Sequence, residues 1–172
     1  MDATITSFEL IAAVAPLVAA PNAVTDSDVD LTGRRVRHWT NVGALRPVGG
    51  VHIGRGRSRI YDRSEAYIAS ALTLLAENDQ GIEVLTQVAI HLRAFCGDKP
   101  LIAGVQYDRW LQAIRGPGDV FFFLGATGRV SSDHPRGSRM GLIPSAVLSL
   151  EVPNFAGGVF VNLSSAFRLI RL

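Results

Sequence analysis

The chain has 172 residues, a formal net charge of +2, 48% hydrophobic and 19% charged residues, which suits one compact core or two small ones and excludes a wholly disordered chain. Its single cysteine, Cys96, excludes a disulfide framework and any two-cysteine metal or redox site within one chain. The charge is unevenly placed: residues 1–32 hold five acids and no base, whereas residues 33–67 hold eight of the sixteen arginines against Asp62 and Glu65 alone, a local balance of +6. A block of this kind points to a polyanionic partner for one segment.

The N-terminal run MDATITSFELIAAVAPLVAAPNAV is apolar. No Lys or Arg precedes it, and Glu9 and Pro16 interrupt it, so it fits neither a secretory signal nor a membrane span. A cytoplasmic, nucleoid-associated protein without membrane contact is the expectation. Thr6-Ser7-Phe8-Glu9 has the form of a capping box, and Phe8, Ile11, Ala12 and Ala15 follow at helical spacing, which predicts a short amphipathic helix ending between Pro16 and Ala20. Thr25 or Asp26 caps a second short helix to about Asp30. Leu31-Thr32-Gly33 then reads as a turn, and Arg34 to Val42 as a further helix with Val36, Trp39 and Val42 inside and Arg34, Arg35, Arg37 and His38 outside. Gly43 stands where a helix-ending glycine belongs.

PVGGVHIGRGRSRIYD predicts a β-hairpin: Val51 and Ile53 on one strand, Ile60 and Tyr61 on the other, and Arg55, Arg57 and Arg59 on or beside the glycine tip. Asp62-Arg63-Ser64-Glu65 forms a second capping-box pattern before a helix with the stripe Ile68, Ala71, Leu72 and Leu75. Ile82, Leu85, Ala89 and Leu92 mark another helix to about Cys96, and GDKP separates two domains. Beyond it, Leu101 to Arg115 is expected to be helical with Val105, Trp110, Leu111 and Ile114 as its apolar side. DVFFFLGAT reads as a strand buried on both faces, residues 128–141 as a polar loop, and SAVLSLEV and GGVFVNLSSAFRLI as strands of a hairpin turning at 154–158.

A helix that presents arginines fits the major groove of B-form DNA, where guanidinium bonds guanine edges bidentately, and a Gly-Arg tip reaches neighbouring phosphates. Arg37 is expected to read a base in this way and Arg57 to hold a phosphate. The segments RVRHWTNVGALRP and GRGRSRIYDRSEAY together resemble the MerR family of transcription regulators, over roughly residues 23–97. Arg37, His38, Trp39, Gly43, Ala44, Leu45 and Pro47 occupy that family's second-helix pattern, and Arg59 and Tyr61 its wing. The chain departs from the pattern in carrying Thr40 for the usual acid, and the family's long coiled-coil helix is missing after residue 97.

The chain is expected to be α+β in three parts: an extension over 1–22, the winged helix-turn-helix that the resemblance implies over 23–97, mostly helical with a β-hairpin wing, and a small strand-rich domain over 98–172 read from its own residues. A sequence-specific regulator is expected that binds double-stranded DNA through Arg35, Arg37, His38, Arg57, Arg59 and Tyr61, which the resemblance implies, and through Arg34 and Arg55, which the arginine helix and the glycine tip add. Homodimerisation through residues 98–172 and contact with RNA polymerase are further expectations, since operators are commonly read by two-fold pairs. No cofactor, metal or catalytic centre is expected. The four histidines are scattered, Asp133 and His134 sit in a polar loop, and FLGATG lacks the Lys-Ser/Thr of a phosphate loop. The same domain would also suit an excisionase-like factor bending DNA at a mobile-element site, or a protein-interaction adaptor that has lost DNA binding.

Overall fold

The computed structural model of the chain describes residues 4–19, 23–49, 58–96, 105–127, 138–147 and 155–170. The chain is mixed α and β and divides into two compact units, Met1–Arg93 with Leu169–Leu172, and Ala94–Arg168. No helix among the described residues is long and apolar enough to cross a membrane.

In the first unit, strand β1 (Thr4–Thr6) leads directly into helix α1 (Ser7–Val14) through the expected capping box. Thr6 Oγ1 accepts from the Glu9 backbone N–H at 3.3 Å, while the Glu9 carboxylate accepts from the Thr6 N–H at 2.7 Å. The buried side of α1 is Leu10, Ala13 and Val14, followed by Ala15, the one residue of the expected stripe that is buried; Phe8 is 72% exposed. Almost every position of this helix is apolar, so periodicity alone could not choose its inner face. The helix packs on both α2 (Asp26–Asn41) and α3 (Arg63–Ala76), so residues expected to form an extension belong to the first unit.

The expected turn at Leu31-Thr32-Gly33 is absent. One helix of 16 residues, α2, runs through it from a capping box between Thr25 and Asp28. A helical glycine costs about 1 kcal/mol relative to alanine. Burial of Val36 and Trp39 along the same face outweighs that. Helix α2 ends at Gly43, whose φ of +80° is the left-handed conformation that favours glycine. Val42, expected inside, is exposed at this end.

The strand β2 (Ile60–Asp62) pairs antiparallel with β1, placing Ile5 opposite Tyr61 with both side chains buried. On its other side Pro47 bridges to Tyr61, and the Val48 N–H donates to the Ile60 carbonyl at 2.7 Å. The first arm of the expected hairpin, Val51 to Ile53, lies outside the described residues. Helix α3 buries Ile68, Ala71, Leu72 and Leu75, the predicted stripe, and α4 (Ile82–Cys96) buries Leu85, Val88, Ala89 and Leu92.

The expected capping box at Asp62–Glu65 does not form. Glu65 turns inward instead and accepts from Arg93 Nε at 2.6 Å and Nη2 at 2.9 Å, as well as from the Arg46 backbone N–H at 3.0 Å. Arg93 also donates to the Ala44 carbonyl. Side-chain exposures of 5% for Glu65 and 16% for Arg93 make this an interior ion pair. It fastens the segment after α2 to α3 and α4.

The second unit is a three-stranded antiparallel sheet in the order β4 (Ser138–Pro144), β3 (Val120–Thr127), β5 (Phe155–Asn162), with helices α5 (Val105–Arg115) and α6 (Leu163–Leu169). Phe122 lies opposite Leu142 and Val161, all buried; the next position, Phe123, is also buried and its ring centre lies 4.7 Å from that of Phe160, the two planes tilted by 38°. The central strand is thus buried on both faces, as its continuous apolar run predicts. A Cβ at Gly158 would lie 2.5 Å from the Phe123 ring, which explains a glycine there. Helix α5 buries Trp110 and Ala113, leaving Leu111 outward, and Trp110 meets Phe167 of α6 edge-on at 5.2 Å.

Three expectations for this unit are corrected. Residues 138–141, read as loop, begin β4. Residues 155–158, read as a turn, belong to β5, which pairs with β3; residues 145–147, read as strand, form a 3-10 turn, and 148–154 lie outside the described residues. Residues 163–169, read as strand, are α6, opened by the Asn162 side chain accepting from the Ser165 N–H at 2.9 Å.

Candidate nucleic-acid interface

Helix α2 has two ends of opposite charge. Asp26, Asp28 and Asp30 crowd the first turns, where the helix dipole favours them, and Arg34, Arg35, Arg37 and His38 fill the last two. Arg34, Arg37, His38 and Asn41 fall at i, i+3, i+4 and i+7, and all four are exposed, so they form one stripe along the outer face. Among the described residues none offers an ion pair to Arg34, Arg37 or His38. Arg35 lies off this stripe and is bound at 2.5 Å to Glu77, just after α3. It is therefore the least available of the four basic residues expected on this helix.

Beside the stripe, an open cleft of about 350 Å³ separates α2 from the start of α1 and residues 58–59, which lead into β2. Arg37, Asn41, Ser58, Arg59 and Ser7 supply its polar lining, and Ile11, Val36 and Tyr61 its apolar lining. Several bonds join its walls. The Ser7 N–H donates to the Arg59 carbonyl at 2.8 Å, Arg59 Nη2 donates to Asn41 Oδ1 at 3.1 Å, and the hydroxyls of Tyr61 and Thr40 lie 2.9 Å apart. Thr40 Oγ1 in turn donates to the Val36 carbonyl at 2.7 Å.

Tyr61 is corrected as a site residue. It is 0% exposed, and its hydroxyl is bonded inside the unit, so it cannot reach DNA from this position. Its hydroxyl ties β2 to α2 through Thr40. Arg34, Arg37, His38 and Arg59 come together around the stripe and the cleft. Arg55 and Arg57 lie outside the described residues. Trp39 is buried in the core.

Asn41, Ser7 and Ser58 were not read from the sequence as site residues. Asn41 carried a usable signal, standing seven residues after Arg34 and four after Arg37. The two serines carried none, because they meet the stripe only through the pairing of β1 with β2. No family model matches this chain, and no curated protein matches it.

Proposed function

We propose that the first unit is a winged helix-turn-helix and the protein a sequence-specific, double-stranded-DNA-binding regulator of transcription. The observation that carries this reading is the outward stripe Arg34–Arg37–His38–Asn41 on a single helix, flanked by a strand-anchored arm that brings Arg59 beside it. Strand, helix, helix, arm, strand, helix, helix is an order that supports it, with α1 rather than residues 26–30 as the helix entering the pair. In this reading the second half of α2 enters the major groove and Arg59 lies towards the backbone. The protein acts without a catalytic centre or cofactor, at the nucleoid. A homodimer built through the second unit suits a two-fold operator, and contact with RNA polymerase follows from the family resemblance alone.

The test is equilibrium binding of the full chain to duplex DNA at several salt concentrations. The proposal expects log K to fall with log salt by about 0.9 for each phosphate engaged, with Arg34→Ala losing discrimination between sequences. A chain that binds duplex no better than an acidic polymer, or an Arg34→Ala variant as selective as its parent, would sink it.

A further inference from the structure

Asn41 is the last residue of α2 and closes the outward stripe, one turn beyond Arg37 and His38. Unlike the arginines before it, it carries both a donor and an acceptor, so what it recognises depends on which way its amide is turned. Arg59 settles the direction. Its Nη2 donates at 3.1 Å to Oδ1 of Asn41, and a guanidinium, which has donors only, can meet the amide only on its oxygen side. Arg59 is engaged beyond this bond as well, so it acts as a fixed donor and not as a free charge. The arm that carries it is held independently of the side chain. The Ser7 N–H donates to the Arg59 carbonyl at 2.8 Å, and Tyr61 is tied to Thr40, the neighbour of Asn41. Turning the amide over would break a charge-assisted bond and set donor against donor. Among the described residues no acceptor meets Asn41 Nδ2, so the exposed side of the amide presents N–H groups.

An asparagine free to turn pairs with adenine, donating to N7 and accepting from the N6 amino group. Here Oδ1 keeps a second lone pair, but an adenine amino group reaching it would come up against the Arg59 N–H. Guanine instead offers acceptors at both N7 and O6, whereas cytosine offers a donor and thymine a single O4 beside its methyl group. We infer that Asn41 reads guanine through donors alone, and that Arg59 is the positioning residue that turns its amide to do so. The inference rests on the proposed DNA-binding reading. The preferred duplex then carries a guanine beneath the end of α2. Its position is separate from the one that Arg34 meets, since the seven residues between them span about 10 Å of helix.

The experiment selects bound members from a pool of random-sequence duplexes and reads the base preference at each position, using the full chain as wild type, Asn41→Ala, Asn41→Asp and Arg59→Met. Wild type is expected to favour guanine over adenine about tenfold at one position, and that position alone flattens in Asn41→Ala. The salt slope of Asn41→Ala stays that of wild type, because a neutral amide displaces no counterion. Asn41→Asp, with an oxygen in place of the amide nitrogen, turns the position to cytosine, whose N4 donates. Arg59→Met keeps the stem and the backbone bond to Ser7 but lets the amide turn, and it shifts the position towards adenine. A merely structural role for Arg59 would weaken binding without changing the base.

An adenine preference in wild type, an unaltered set of preferences in Asn41→Ala, or guanine retained in Arg59→Met would overturn the assignment while leaving DNA binding in place. Failure of the wild type to bind any duplex would instead remove the DNA-binding reading, and this inference with it. Circular dichroism of each variant keeps a folding defect from passing as a binding one.

Discussion

Arginine serves two opposite purposes in the first unit. Beneath α2, Arg93 is interior and matched to Glu65, with two backbone groups of the 44–46 segment drawn into the same network. On the outer face of α2, Arg34 and Arg37 are exposed, with no carboxylate bonded to them among the described residues. The first arrangement holds the chain to itself; the second leaves positive charge available to something else. What separates them is whether the fold supplies the counter-charge. Arg35, bound to Glu77, shows that even on one helix the choice is made residue by residue.

Breaking the interior side should have the largest effect. Arg93→Met leaves Glu65 buried without its partner and should destabilise the protein by about 3–5 kcal/mol, read from denaturant unfolding. The paired change with Glu65→Met should not restore full stability, because the Arg46 N–H and Ala44 carbonyl lose their partners as well. The outer face should behave in the opposite way. Arg34→Ala should shift stability by less than about 0.5 kcal/mol while weakening binding to a preferred duplex by about 1–3 kcal/mol.

These two regions were not equally legible. The stripe could be read because exposure, helical spacing and charge are local properties: Arg34, Arg37 and His38 needed only a helix. The interior pair could not, because Glu65 sits in a pattern that also spells a capping box, and its partner lies 28 residues away. Tyr61 was misread for the same reason, its hydroxyl meeting Thr40 across 21 residues. Gly33 suggested a turn, but a glycine is permissive in a helix as well, and the capping box at Thr25 fixed one start for the whole of α2. In the second unit the apolar run of β3 announced a doubly buried strand. Which strands flank it depends on pairings far apart in sequence, and the turn expected at 154–158 was misplaced, since residues 155–158 are already strand. The missed helix α6 did have a local mark, Asn162 three residues before Ser165.

A smaller effect sharpens the contrast from the inner side of α2. Thr32 Oγ1 is buried without a hydrogen bond, so Thr32→Val should raise stability by about 1 kcal/mol with no change in duplex binding, as read from unfolding curves and titrations. The smallest effect concerns the two capping boxes. Bonds from the Thr6 backbone and then its hydroxyl hold the Glu9 carboxyl below its ordinary value of 4.5. Bonds from the Thr25 hydroxyl and then its backbone hold Asp28 below 3.8. A folded-state value below the unfolded one favours the folded chain above the ordinary value, and that contribution disappears as pH falls through the lowered one. Unfolding curves between pH 6 and 3 should therefore lose less stability in Glu9→Gln and Asp28→Asn than in the parent.

The most direct measurement is selection of bound fragments from the source genome, run in parallel with wild type and Arg34→Ala. Wild type is expected to enrich a defined set of promoter fragments sharing a common sequence, and the variant to lose that enrichment while retaining weak, salt-sensitive binding to any duplex. Equal recovery of all fragments by wild type, or an identical enriched set from both proteins, would contradict this expectation.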